Sequence, residues 1–254
     1  MPRISFVAAP PRLSFVVPAY NEEALLPFCL AAIHAEIERT GAHAEIVVVD
    51  NASTDATNAI ARATPAVRVV EEPVRGLVQA RCAGFQATSG TLVANIDADT
   101  LLPPGWIDRV LAEFAHDPKL VALSGPYDYY DVPPRVRRAA RAFYGMAYCT
   151  YILNRHVFRI GSMVQGGNFV VRRDALLQAG GFDTRFSFYG EDTDIAKRMS
   201  RIGHVKFSWA MTARSSGRRL RGDGLLMTGL RYGMNYLWTT ILRRPFTEAW
   251  HDYR

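Results

Sequence analysis

The chain has 254 residues, is 49% hydrophobic and 21% charged, and carries 30 Lys plus Arg against 24 Asp plus Glu, a formal net charge of +6. That length can bury a sizeable core in one large domain or two small ones, and the composition excludes a disordered or fibrous chain. The charge is split: residues 1–131 hold 9 basic and 16 acidic side chains, residues 132–254 hold 21 and 8, which argues against an even nucleic-acid-coating surface and gives the back half an anionic partner: phosphate, nucleic acid or a membrane surface.

Three widely spaced cysteines, Cys29, Cys82 and Cys149, make neither a disulfide scaffold nor a CxxC metal cluster, so a reducing compartment is expected. The early apolar stretches are broken by Pro10, Pro11 and Arg12, unlike a secretory signal.

In chain order, Ser14–Val17 is a short apolar strand that Pro18 is expected to end, with Asn21 capping a helix from Glu22. Leu26, Leu30, Ile33 and Ile37 recur at helical spacing, and Gly41 closes that helix. Ile46–Val49 is apolar without alternation, as in a parallel strand covered on both faces. Ser53 or Thr54 can cap a helix near Asp55–Arg62, and Val67–Val70 is a third strand. Gly76–Ala87 reads as a helix, Leu92–Ile96 as a strand, Pro103–Gly105 as a turn, Trp106–Phe114 as a helix and Leu120–Leu123 as a strand. Strands and helices alternate with short connections, the pattern of an open α/β sheet. After Ser124 the predicted elements are a helix over 135–159, a strand at Asn168–Val171, helices at Asp174–Ala179 and Glu191–Arg201, a strand at Val205–Trp209, a loop at Gly217–Gly224 and a long apolar helix at Leu225–Leu242.

Two acidic features follow predicted strand ends: Asp50 in VVVDNASTD, and Asp97 and Asp99 in NIDADT. The carboxyl ends of parallel strands form the ligand crevice of an open α/β sheet. Such a DxD can hold a divalent ion through oxygen ligands beside substrate phosphates, or be a solvated turn that caps the next helix. A third cluster, Glu191-Asp192-Thr193-Asp194, opens a helix whose N-terminus favours ionised carboxylates; it offers a general base or plain capping. Signatures for dinucleotide folds, P-loops, GxSxG hydrolases and HExxH metalloenzymes are absent from the sequence.

These motifs taken together resemble the family 2 glycosyltransferases. The resemblance rests on VVPAYNEE at 16–23, VVVDNASTDAT at 47–57, RGLVQARCAGFQATSG at 75–90, ANIDADTLLPPGW at 94–106, GGNFVVRRDALLQAGGFD at 166–183 and YGEDTDIAKRM at 189–199. It implies an α/β GT-A fold, an open, mostly parallel Rossmann-like sheet flanked by helices, and inverting transfer of a sugar from a nucleoside-diphosphate donor. By that likeness Pro18, Ala19, Tyr20 and Glu22 line the nucleotide pocket, Asp50 bonds the base with Asn51 nearby, and Arg75 and Arg81 approach the nucleotide. Asp97, Ala98 and Asp99 form the DxD, with Asp99 ahead of Asp97 as ligand to Mg²⁺ or Mn²⁺. Gly166, Gly167 and Asn168 lie beneath the donor sugar and acceptor, with Trp106 counted beside them. Asp192 matches the catalytic base, with Glu191 as its alternative. The late histidine that several GT-A enzymes use is missing from WAMTARSSGRRLRG at 209–222; Arg214, Arg218 and Arg219 can contact the diphosphate instead, since guanidinium forks match phosphate oxygens, or form a solvated basic loop.

The resemblance divides the chain into a catalytic domain at 1–222, with a nucleotide-binding half at 1–124 and an acceptor-binding half at 125–222, and an apolar, basic helical extension at 223–254. Residues 132–173 contain eight arginines and no acid, and the 225–242 segment carries one charge, Arg231, before Arg243 and Arg244. Such a helix can lie against an anionic membrane surface, which would suit a lipid-linked acceptor as well as a saccharide, or it can pack on the core or on a second subunit of a homodimer. The expected location is cytoplasmic, either free or peripheral at the inner face of the cell membrane. A nucleotidyltransferase and a non-catalytic sugar-nucleotide or polyanion-binding module are the alternatives; no nucleic-acid-binding module accompanies the basic patches.

Overall fold

The computed structural model describes residues 12–153, 163–186, 188–242 and 246–247. The front of the chain gives β1 (Leu13–Ala19), α1 (Leu26–Thr40), β2 (Ala44–Asp50), α2 (Thr57–Ala63), β3 (Val67–Glu71), α3 (Leu77–Ala87) and β4 (Leu92–Ile96). Then come β5 (Thr100–Leu101), α4 (Trp106–His116), β6 (Leu120–Ser124), β7 (Tyr127–Tyr129) and α5 (Pro134–Leu153). The remainder is β8 (Asn168–Arg172), α6 (Arg173–Gln178), α7 (Glu191–Met199), β9 (His204–Phe207), β10 (Ala213–Ser215), α8 (Arg218–Gly222) and α9 (Leu225–Leu242). The part of the predicted 135–159 helix beyond Leu153, with Arg155, Phe158 and Arg159, lies outside the described residues.

Seven strands form one sheet in the order β3-β2-β1-β4-β8-β6-β9. All pairs are parallel except the two made by β8, which runs antiparallel between β4 and β6. This is the Rossmann-like GT-A arrangement, and its sheet takes strands from both halves of the chain. Successive side chains of a strand face opposite sides. Phe15 and Val17 therefore join Leu26, Ile33, Trp106 and Val110 in one apolar layer. Val16, Val49, Val78, Phe85, Phe169 and Ile195 fill the other. Burial on both faces explains why Ile46–Val49 and Leu92–Ile96 are unbroken apolar runs.

Several expectations are corrected. β1 continues through Pro18 to Ala19, because its pairing with β4 ends at Val16 and Pro18 lies where β1 has only β2 beside it. Asn21 does not cap α1, which starts at Leu26 without a side-chain cap; its Oδ1 accepts from Thr54 N at 2.8 Å, tying the two loops after β1 and β2 together. The predicted loop at 217–224 contains α8, and Trp209 starts a 3-10 turn instead of ending a strand. A second sheet, β5-β10-β7, has no counterpart in the sequence reading.

Candidate active site

The C-terminal end of β4 delivers Asp97, Ala98 and Asp99 into the crevice. Asp97 N donates to Gly167 O at 3.2 Å, while its carboxylate accepts from Arg81 Nη2 at 3.1 Å and Tyr127 OH at 3.2 Å. Any side chain at Gly167 would overlap the Asp97 carboxylate and the Tyr127 hydroxyl. This fixes a glycine where the two segments meet.

Asp99 faces the opposite way. Its Oδ2 lies 3.0 Å from Arg218 Nη2, and Ser215 Oγ donates to Oδ1 at 3.3 Å. Arg218 also makes a fork on Glu22, at 2.5 and 3.0 Å. Burial pushes the Asp99 carboxyl up to about 6, Arg218 opposes this, and the charges of Asp97 and Glu22 add to it. Among the described residues no group of three His, Cys, Asp or Glu side chains is arranged to hold a metal unaided. The donor set nevertheless fits a divalent ion that takes its remaining ligands from a diphosphate: it is all carboxylate oxygen, and its negative charge exceeds what Arg218 offsets.

The two acids opening α7 have different surroundings. Glu191 is buried and ion-paired with Arg81, which is itself fully buried and donates to Gly166 O at 2.8 Å. Asp192 is half-buried; its Oδ1 accepts from Thr193 N at 2.7 Å, and its Oδ2 lies 3.5 Å from the place a Gly166 Cβ would take. Burial raises the Asp192 carboxyl above the ordinary range, against the Thr193 N–H and the Arg81 charge. Glu191 is thus committed to Arg81, whereas Asp192 lines the cavity and makes no ion pair among the described residues.

Pro18, Glu22, Arg81, the DxD residues, Gly166, Gly167, Glu191, Asp192, Arg218 and Arg219 share one cavity of about 520 Å³. Other expected residues lie elsewhere. Ala19 and Asp50 are register partners at the ends of β1 and β2, and Arg75 stacks on the Tyr20 ring at 3.9 Å, making a shelf beside the cavity. Asp50 there accepts from Asn58 Nδ2 at 2.7 Å. Asn51 uses its amide on Glu72 O, Val74 O and Gly76 N, so it shapes the following loop. Trp106 does not reach the cavity: it is 1% exposed, 6.0 Å from the Phe15 ring, and donates Nε1–H to Asn168 Oδ1 at 3.1 Å. Asn168 is likewise enclosed, donating to Met211 O at 2.6 Å. Arg214 is exposed on β10 beside the Tyr130 ring.

Sequence reasoning missed Tyr127 and Ser215, which touch the DxD from β7 and β10. Both strands are three residues long, too short for a periodic signal, and only long-range pairing brings them there.

The glycosyl transferase family 2 profile matches residues 14–179. The chain belongs to that family. It is 27% identical to mouse (Mus musculus) polypeptide N-acetylgalactosaminyltransferase 18 over 233 residues, 82% of this chain and 37% of that one. It is 29% identical to undecaprenyl-phosphate 4-deoxy-4-formamido-L-arabinose transferase of Aeromonas hydrophila over 151 residues, 57% of this chain and 43% of that one. The family 2 chain thus spans less than half the length of these two relatives. Among solved structures, a mannosyltransferase from Pyrobaculum calidifontis in complex with GDP-Man and Mn²⁺ superposes with a TM-score of 0.64 at 24% identity, covering 89% of this chain and 66% of that one. Glucosyl-3-phosphoglycerate synthase from Mycobacterium tuberculosis, in complex with phosphoglyceric acid, gives 0.61 at 22%, covering 92% and 80%. At these identities the likeness concerns the fold.

Proposed function

We propose that this family 2 chain is an inverting glycosyltransferase that moves a sugar from a nucleoside-diphosphate donor to an acceptor hydroxyl. The observation that carries the reading is the meeting, in one cavity, of the Asp97–Asp99 pair with a half-buried Asp192. The nucleoside lies on the shelf of Ala19, Tyr20, Asp50 and Arg75, and the diphosphate over the DxD. Mg²⁺ or Mn²⁺, held by Asp99 and Asp97 with donor phosphate oxygens, would neutralise charge on the leaving diphosphate. The mannosyltransferase solved with Mn²⁺ supports that assignment.

Arg218 exchanges its carboxylates for phosphate oxygens as the donor enters. Asp192 Oδ2 takes the proton of the acceptor hydroxyl while that oxygen attacks the anomeric carbon. The bond to the β-phosphate oxygen breaks on the opposite face, which inverts the anomeric centre and needs no enzyme nucleophile. Residues 1–222 supply this chemistry, and α9 stands over the acceptor end, at an anionic membrane surface. No helix among the described residues is long and apolar enough to cross a membrane.

The test is incubation with UDP-, GDP- and dTDP-sugars and either metal. Release of nucleoside diphosphate supports the reading. Release of sugar 1-phosphate, the group left when the bond at the α-phosphorus breaks, would make the chain a nucleotidyltransferase, and donor binding without turnover a binding module.

A further inference from the structure

Beyond Asp192 the cavity continues between α5 and α9, and its lining turns mostly apolar, with Phe143, Met146, Ala147, Met163, Tyr232 and Tyr236, while the polar Thr150, Thr228 and Asn235 there donate to carbonyls one turn back in their own segments. A saccharide there would leave hydroxyls without partners, which is costly in an apolar enclosure. Open space is kept by glycine. Nothing lies within 4 Å of a Cβ added at Gly233, and one added at Gly229 would touch the Phe143 ring at 3.5 Å. Glycine is a poor helix former, and these two lie four residues apart on one face of α9, so they serve the gap between helices and not the helix itself. Met146, which lines the arm, is 65% exposed, and the arm therefore opens outward beside it.

Two consecutive arginines point to opposite ends of this cavity. Arg218 is paired with Glu22 and Asp99. Arg219 lies over the Phe188 ring at 4.2 Å and donates to Tyr232 OH at 3.2 Å, and it makes no ion pair among the described residues. A guanidinium walled by aromatic rings, with no carboxylate in ion-pair contact among the described residues, suits an anionic group entering the apolar arm. Outside the arm, Arg135, Arg138 and Arg141 stand exposed on α5.

We propose that the acceptor is a membrane-resident amphiphile. Its hydrocarbon chain lies between α5 and α9, its anionic group is held by Arg219, and its accepting hydroxyl faces Asp192. This rests on the glycosyltransferase reading and names the acceptor class for it.

The test is calorimetric titration of the purified chain with decyl phosphate below its micelle concentration, with inorganic phosphate, and with UDP, GDP and dTDP. Decyl phosphate is expected to bind at least about tenfold more tightly than inorganic phosphate, because its chain is removed from water. Gly233→Leu puts a side chain into open space and improves the helix, so the fold survives. It should weaken decyl phosphate about tenfold or more and leave nucleotide affinity unchanged. Arg219→Ala should weaken decyl phosphate by a larger factor than it weakens the nucleotide. The proposal is overturned if decyl phosphate binds no better than phosphate, if both variants bind it like the parent chain, or if Arg219→Ala weakens the nucleotide by as large a factor. Tight alkyl binding with no nucleotide binding would count against the donor reading and not against the apolar arm.

Discussion

Neighbouring carboxylates with opposite surroundings set the chemistry at the residue scale. Glu191 is spent on Arg81, and Asp192 is not. As the proposed base, Asp192 works when ionised, and burial holds its pKa above the ordinary carboxylate range. Transfer should therefore rise with pH through an acid limb displaced upward, read from the pH profile of kcat/KM. Asp192→Asn should lower turnover by about 10²–10⁴-fold. A carboxyl whose folded pKa is raised contributes stability below its unfolded value and loses it as pH rises. Asp192→Asn should consequently melt higher than the parent at neutral pH, with the gain shrinking in acid. A lower Tm at neutral pH would mean that Asp192 is a structural cap. Arg218 gives a second expectation. Its guanidinium competes with any cation for Asp99 and Glu22, so Arg218→Ala should bind Mn²⁺ several-fold more tightly without donor, measured by electron paramagnetic resonance, and bind nucleoside diphosphate more weakly.

The site is only as firm as the elements that hold it. The N-terminus of α4 begins at a left-handed Gly105 and has no side-chain cap of its own. Glu36 of α1 supplies one across the helix pair, accepting from Gly105 N and Ile107 N at 3.1 Å each. The carboxylate is buried, and despite that burial the Arg39 and backbone bonds hold its pKa below the usual value. Glu36→Ala should cost about 1–3 kcal/mol in urea unfolding at neutral pH, since buried N–H groups lose their acceptor. A depressed folded pKa gives stability above the unfolded value of about 4.3 that is lost as pH falls, so the difference from the parent should narrow in acid. This cap joins residues far apart in sequence, which is why no local pattern announced it. Leu92–Ile96 was legible because burial on both faces shows as an apolar run, and α9 because an apolar stretch ends in arginines. Trp106 was misplaced for the converse reason: its neighbour Phe15 and partner Asn168 come from distant strands, so nothing adjacent to it signals burial. The acidic motifs were legible as residues, but not their arginine partners, because Arg218 on Asp99 and Arg81 on Asp97 and Glu191 come from distant parts of the chain.

For the whole molecule, the excess of basic side chains in the back half has two destinations. Part of it is internal. Arg172 donates to Leu120 O and Phe114 O, Arg173 to Gly90 O and Phe85 O, and Arg198 to Ala179 O and Gly181 O, so these guanidiniums satisfy carbonyls at the ends of elements and do not meet an outside partner. Others are balanced on the spot, as Arg221 is by Asp131 and Arg231 by Asp223, each at 2.7 Å. What remains outward is concentrated on α5, where Arg135, Arg138 and Arg141 are exposed on the helix that also supplies Phe143, Met146 and Ala147 to the apolar arm. Formal charge therefore overstates the polyanion-facing surface, and the part left over sits on a helix that lines the arm. Each arginine near an anionic bilayer contributes about 1 kcal/mol. Changing all three to glutamate should reduce co-sedimentation with phosphatidylglycerol vesicles by about a hundredfold. Binding to pure phosphatidylcholine, weak in both chains, should not change. Because the three side chains are exposed on a helix surface, the variant should melt like the parent. Undiminished sedimentation with a normal Tm would move the membrane contact away from α5 and onto the Leu226 and Leu230 side of α9.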